Sequence, residues 1–474
     1  MDFPVFHLDF LNNRMLIALI GVLHVIINHA MAVGGIPLVV YLERRGALTN
    51  DLEWDAFAYK TLRFFFVITT TVGALTGVGI WFSAGLVNPY AIGSLLRVFF
   101  WTWFVEWLVF VTEVVLILAY YLTWQRWSGP TKGKHLRLGY TLAFASWATM
   151  ALIVSILSFM MDVGSWRTQR TLLSGMFNPV YLPQLAFRTP LAMVMAGAFA
   201  LFALLWTTKP GSELRTNAVR ALGRWTLAWT PAVVAGGAWY ARVIPSAMRS
   251  NLPVALLTQA LESWSKTALE VLGVAGVAVG GFMLWAAARP RTFRSWGLVV
   301  PALLSIALIG TFERVREFIR KPYAIAGYLY SNGFRKEDYA LLQRDGILAH
   351  ATYTAVRRVT DENEVEAGRE VFNLACTRCH TVDGINGIRG LLSNLYGEDQ
   401  PWQRDLIAAY VGTMHVTRPF MPPFPGSARE RTALGAYLVS LQTNPAVIDG
   451  AQVAGVLAPT PPRRLRDGSL QFAP

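Results

Sequence analysis

The chain has 474 residues, 54% of them hydrophobic and only 15% charged, with 17 Trp, 27 Phe and a mean hydropathy of +0.39. Soluble domains sit nearer a quarter charged, so this composition excludes an ordinary cytosolic globule and a disordered chain alike. The net charge of +13 is spread over short loops between apolar runs, which makes it a topology signal and not a nucleic-acid-binding surface.

Apolar stretches fall near residues 15–42, 61–84, 95–124, 138–161, 189–207, 222–244, 267–288 and 296–318. A helix needs about 20 such residues to cross the hydrocarbon layer, so the pattern predicts an all-α, polytopic bundle of about eight spans. Pro231, Pro245 and Pro253 make the sixth and seventh runs the least regular. Alternate loops carry Arg44, Arg45 and Lys60; Arg126, Lys132, Lys134 and Arg137; Lys209, Arg215, Arg220 and Arg224; and Arg289, Arg291 and Arg294. The intervening loops are poorer, with Arg167, Arg170, Arg242 and Arg249 as their main basic residues. The positive-inside rule assigns the richer set to the cytoplasm. The N-terminus is then outside, and eight spans return the C-terminus to the same side. No cleavable signal peptide is expected, because the first apolar stretch is too long and charge flanks it on both sides.

From about residue 320 the composition turns mixed. The expected division is a membrane domain over 1–322, an extramembrane helical connector over 323–359, a small soluble domain over 360–445 and a Pro-rich tail over 446–474. The only two cysteines stand together in Cys376-Thr377-Arg378-Cys379-His380. C-x-x-C-H is the covalent attachment signal of a c-type haem: both thiols add to vinyl groups and the imidazole ligates iron. A redox dithiol does not need the trailing His, and no second Cys or His pair is present to complete a zinc site. Haem c is attached on the outer face of bacterial membranes, so the motif agrees with the loop charges. Both place the soluble domain in the periplasm, on a multi-pass protein of the inner membrane.

Around the motif the order is Glu364-x-x-x-Gly368-x-x-x-Phe372, the cysteines, a middle helix near 402–414, Arg418-Pro419-Phe420-Met421-Pro422-Pro423-Phe424, and a final helix near 427–441. This resembles a class I cytochrome c over residues 360–445. The resemblance implies that Gly368 and Phe372 cross the last helix at Tyr437. It also implies that His380 is the proximal iron ligand and Met421 the distal one. A thioether is a soft ligand that favours ferrous iron and raises the potential, which suits electron transfer. Met414 and His415 compete for the distal role but lie on the middle helix and not in the Pro-fixed loop.

Ionisable residues inside spans are costly and therefore functional candidates. Span 1 holds His24 and His29, whose five-residue spacing leaves the rings about 140° apart, so both cannot bind one iron. Span 3 holds Glu106 and Glu113, seven apart and so on one face, about 10 Å from each other. Span 8 ends in Glu313-Arg314-Val315-Arg316-Glu317-Phe318-Ile319-Arg320-Lys321-Pro322-Tyr323. Each has a plain alternative: a lone His can bond a carbonyl, and the last cluster can be a solvated helix end.

Taken together, residues 9–125 and 310–328 resemble subunit I of the cytochrome bd oxygen reductases. Arg14 precedes His24 by ten residues, Glu106 and Glu113 are followed by Trp124 and Arg126, Gly73-x-x-x-Gly77 forms a small-residue stripe, and Glu317-x-x-Arg320-x-Pro322-Tyr323 stands in for a late E-x-x-R-x-P-W segment. The resemblance implies one or two membrane haems, b and/or d. It makes His24 and Glu317 ligands, Glu106 a ligand or active-site acid, Glu113 a step in proton delivery, and Arg14 and Arg320 propionate partners or positioning charges. His29 has no counterpart. Where the family places a haem-ligating His at the start of its fifth helix, this chain has Arg188 after Asn178-Pro179-Val180. No long quinol-binding loop separates spans 6 and 7, so haem c becomes the expected electron entry. Three readings follow: a terminal oxidase subunit I fed by a periplasmic donor, an electron-transfer subunit of a larger respiratory complex, or a haem-poor membrane anchor. A second, bd-like membrane subunit is implied as partner, with the lipid bilayer as surroundings.

Overall fold

The computed structural model describes residues 6–257, 270–397 and 399–443, together with a two-residue ladder pairing Arg463–Arg464 with Leu470–Gln471. Apart from that ladder, the expected tail over 446–474 lies outside the described residues.

Eight long helices, numbered in chain order, build the N-terminal bundle: α1 Asn13–Thr49, α2 Leu52–Val87, α3 Pro89–Thr123, α4 Lys132–Phe159, α5 Tyr181–Thr207, α6 Glu213–Val243, α7 Val271–Ala288 and α8 Ser295–Ile319. Most start earlier than the apolar runs, because the first turns are polar and capped. Asn12, Asp51, Asn88 and Ser212 each accept a backbone N–H of the following first turn. All but α6 are long and apolar enough to cross a membrane; α6 is free of charge from Trp225 to Ala241, but its Trp, Thr, Pro and Gly residues keep that stretch less apolar than the others. Its packing nevertheless runs alongside α5. Gly197 of α5 meets Thr226, Gly236 of α6 meets the Ala186 carbonyl, and Trp225 donates to Met193 O at 2.9 Å. Neither glycine has room for a Cβ, the close approach that small residues permit between membrane helices. Of the about eight spans expected, seven are thus apolar enough to cross a membrane, and the more polar α6 is held among them.

Arg14, at the start of α1, lies 3.9 Å from Glu317, at the end of α8, so the first and last helices meet on one face of the bundle. The C-terminal unit sits on that same face.

Among the described residues three turns of π-helix mark the membrane helices, Asn28–Val33 in α1, Thr69–Gly73 in α2 and Val271–Ala275 at the start of α7, and the first two lie against each other. Such wide turns gather at functional sites because they re-aim the side chains beside them.

The segment expected as a helical connector is instead a hairpin, β1 Tyr323–Ile325 with β2 Leu329–Tyr330, followed by short helices at Tyr339–Asp345 and Ile347–His350. Gly327 and Gly333, both with positive φ, make the turns. Tyr330, Phe334, Tyr339, Leu342 and Ile347 share one apolar core with the helices that follow, so this stretch is a wall of the C-terminal unit. Those helices are α9 Glu364–Ala375, α10 Ile388–Tyr396, α11 Arg404–Thr417 and α12 Ala428–Thr443. Gly368 of α9 lies against the Ala433 carbonyl of α12, and the rings of Phe372 and Tyr437 stand 5.7 Å apart. A side chain at 368 would force these helices apart.

Candidate haem sites and their contact

The C-x-x-C-H segment leaves the end of α9 as a tight turn, with Cys379 N and His380 N both bonded to Cys376 O, at 3.0 and 2.9 Å. Both cysteines are free thiols. His380 Nδ1 faces the carbonyl of Asn386 at 3.2 Å. A carbonyl can only accept, so Nδ1 carries the proton and Nε2 keeps its lone pair for a metal, the arrangement typical of an iron-bound imidazole. Asn386 holds this geometry from a left-handed turn at φ 61° while its own amide donates to Cys379 O. Burial, then the charge of Lys321, pulls the His380 imidazole down to about 4, and burial pushes the Cys376 thiol up to about 12. A neutral imidazole and two unpaired thiols on one turn fit the covalent haem that the motif calls for.

Met421 lies in the loop between α11 and α12, its N–H bonded to Arg418 O at 2.8 Å. His415 Nδ1 donates to Met421 O at 2.5 Å, so this imidazole braces the loop. Met414 packs against the core of the C-terminal unit, whereas Phe420 and Met421 join the apolar cluster that includes Met161, Tyr240, Val315, Phe318 and Ile319 around the end of α8.

Residues 363–438 match the family described as cytochrome c oxidase, cbb3-type, subunit III, a span that includes both cysteines, His380 and Met421. The C-terminal unit is a cytochrome c domain. No curated protein matches the chain. The chain is thus a multi-pass membrane protein whose cytochrome c domain carries haem c for electron transfer.

The cytochrome c domain is clamped to the bundle by its own haem motif. Arg378, between the two cysteines, is buried; its Nε donates to Val87 O at 3.1 Å and its Nη1 to Asn332 O at 2.5 Å and Leu374 O at 3.0 Å. The Arg378 carbonyl accepts the N–H of Arg14 at 3.1 Å. Asn12 donates to Ile385 O, and Ile385 N to Phe10 O, at 3.1 Å each. The second clamp is the Met421 loop, with the Phe420 and Phe318 rings 5.5 Å apart.

Between these clamps the structure brings together three of the residues singled out from the sequence. Both Glu317 oxygens lie 2.7 Å from Arg320 Nη2, and Arg14 Nε approaches from the other side at 3.9 Å. Deeper along α1, His24 Nδ1 lies 3.1 Å from Gly73 O and 3.2 Å from Thr76 Oγ1 of α2. Its ring rests on Gly77, where a Cβ would come within 3.1 Å of Cε1. The stripe of small residues thus makes room for an imidazole. As in His380, Nδ1 is fixed on a carbonyl, and Nε2 makes no hydrogen bond among the described residues.

Glu113 is held by Ser146 Oγ at 2.5 Å and Thr149 Oγ1 at 3.2 Å, both on α4. Glu106, two turns away, is half-buried and has no hydrogen-bond or ion-pair partner among the described residues. No bond links the two carboxylates to His24.

Arg188 is buried among partners deep in the bundle and does not cap a span at the membrane interface. Its Nη2 lies 2.5 Å from Glu313 Oε1, and its Nη1 donates to His29 Nε2 at 3.3 Å. Arg316 Nε completes the cluster at 2.7 Å from Glu313 Oε2. His29 thereby acquires a role, as acceptor for a buried guanidinium. A haem does not fit here, since Arg188 has no lone pair to give and the imidazole nitrogen facing it is occupied.

A second buried cluster, at the far end of the bundle, was not anticipated. Glu43 accepts from Tyr120 Oη at 2.5 Å, His135 Nδ1 at 2.5 Å and Lys132 Nζ at 2.9 Å. Lys132 also reaches Asp55 at 2.6 Å, and Trp124 Nε1 donates to Asp55 Oδ2 at 3.0 Å. A Glu and a His inside or beside apolar runs were the available signal. Arg126, two residues past Trp124, is exposed.

Proposed function

We propose that the chain is a bd-like terminal oxidase subunit I that takes electrons through its own haem c, on the periplasmic face of a bacterial inner membrane. The observation that carries this reading is the docking of the haem-binding loops onto the two helix ends that hold Arg14 and Glu317. Cys376, Cys379, His380 and Met421 would hold haem c, which accepts and passes on single electrons when bound. His24 would hold a membrane haem: its donor nitrogen is free and its other nitrogen is fixed on Gly73. Glu317 would ligate a second haem, with Arg320 and Arg14 placed to neutralise its carboxylate or the haem propionates. Glu113, hydrogen-bonded to two hydroxyls, would pass protons towards Glu106. The protons come from the face opposite the cytochrome c domain, where loop charge is richest.

Glu106 also bears on partners. A carboxylate without a partner is costly at membrane depth, and α2 and α3 bury little of themselves against this chain. A second membrane subunit over that surface would cover both.

An electron-transfer subunit of a larger respiratory complex is the second reading. It is favoured by the matched family's own description as a subunit III. Reduced-minus-oxidised spectra of the purified protein, with and without carbon monoxide, separate the two. A CO-sensitive high-spin haem is expected for the oxidase; only six-coordinate haems would support the relay, and a haem c signal alone would leave a membrane anchor.

A further inference from the structure

On the face opposite the cytochrome c domain, the start of α6 and the turn between α7 and α8 enclose a cavity of about 310 Å³. Val219 and Leu298, both buried, form its floor, and Arg215, Arg291 and Arg294 stand around its rim. The setting is strongly one-signed. Lys209, Arg215, Arg220, Arg224, Arg289, Arg291 and Arg294 occupy residues 209–224 and 289–294, against the single acid Glu213. Arg215 is fixed, because it donates to Thr208 Oγ1 at 2.9 Å and to the carbonyls of Leu204 and Thr208 at 3.0 and 2.7 Å. Arg291 and Arg294 are exposed and make no hydrogen bond or ion pair among the described residues. The N-terminus of α8 opens at Ser295 on the same cavity, with no side-chain cap on its first-turn N–H groups, which adds positive potential. Beside it the rings of Trp285, Phe293 and Trp296 cluster, Trp285 lying 4.8 Å from Phe293 and 5.4 Å from Trp296. Such a cluster marks the level where acyl chains meet headgroups.

We infer that this cavity binds the phosphate headgroup of an anionic phospholipid. The charged rim recognises a phosphate, and the apolar floor and aromatic cluster recognise the glycerol backbone and upper acyl chains. Basic pockets between membrane helices on the positive side are suited to such lipids. A zwitterionic lipid would bring its own cation into a rim that has no carboxylate to receive it. Free phosphate would use the rim alone.

The test uses delipidated full-length protein in neutral detergent, titrated with phosphatidylglycerol or phosphatidylcholine and read by native mass spectrometry. The Arg291→Gln/Arg294→Gln variant changes only exposed side chains, and an unaltered haem c spectrum checks its fold. Phosphatidylglycerol affinity is expected to fall about 30-fold in the variant, the loss of two interfacial arginines. Phosphatidylcholine binding should be weak and unchanged, and excess inorganic phosphate should not displace phosphatidylglycerol. Equal phosphatidylglycerol binding by both proteins, a parallel loss of both lipids, or displacement by inorganic phosphate would overturn the assignment. None of these outcomes depends on the oxidase reading.

Discussion

Glu313→Gln is expected to be the most damaging single change in the membrane domain, and Arg188→Met should partly rescue it. The cluster holds two buried cations, Arg188 and Arg316, around the carboxylate of Glu313, with His29 as a neutral acceptor. Glu313→Gln strips the negative charge and leaves two guanidinium groups facing each other, and breaking a buried pair in this way costs about 3–5 kcal/mol. Arg188→Met instead leaves Glu313 paired with Arg316, so only the unmade bonds at His29 and one Glu313 oxygen are lost, about 1–3 kcal/mol. In the double variant the stranded charge is gone, and its stability should exceed the additive sum by about 2 kcal/mol. Reversible unfolding in mixed detergent, followed by tryptophan fluorescence, measures all four corners of the cycle. Haem content should be the same in all of them, because none of these residues is proposed as a ligand. Additivity within about 0.5 kcal/mol would refute the charge-balance argument. Loss of a membrane haem in Arg188→Met would refute the claim that this cluster stands where a haem does not.

Met421→Ala should abolish the sulfur-to-iron charge-transfer band and lower the haem c potential; an intact band would transfer the ligand role to Met414 or His415. His24→Ala should remove one membrane haem while leaving the haem c spectrum unchanged, measured by pyridine haemochrome content. Arg378→Gln removes donors from three carbonyls that its burial has dehydrated, at about 1 kcal/mol or more each. The haem c band should persist, while amide exchange at 328–345 and in the first turn of α1 should quicken by at least tenfold.

The bundle was legible because membrane helices announce themselves by length and apolarity, and the cytochrome c domain because its C-x-x-C-H motif is local. What escaped the sequence depends on distance along the chain or on geometry finer than periodicity. Arg188 pairs with residues 159 and 125 positions away, and each partner looks like an isolated polar residue in its own run. Lys132 was counted as a loop charge, although it closes a network with Glu43 and Asp55. The hairpin at Tyr323–Tyr330 is too short to show an alternating pattern, and its glycines bend the chain at points that composition alone reads as helix with breaks. The π-turns lack a sequence signature, yet the one in α2 ends at the carbonyl that orients His24.

The two clamps of the cytochrome c domain act on different helices, and this decides what kind of attachment it is. A domain on a flexible tether samples many orientations, and electron transfer is then limited by how often the right one recurs. Here the motif's Arg378 is bonded to α1 through Arg14, while Phe420 of the Met421 loop rests on α8 at Phe318. The two helices meet between the clamps through Arg14 and Glu317. Rotation of the domain about either clamp would break the other, so the haem c motif faces one spot on the bundle. That spot holds Arg14, Glu317 and Arg320, and α1 continues from it over about 15 Å to His24. An arrangement that fixes orientation at the cost of independent motion suits the proposed transfer of electrons into the bundle beneath the domain. On the reading proposed above, the domain's haem would serve this bundle, with an external donor reaching it from its solvent-facing side.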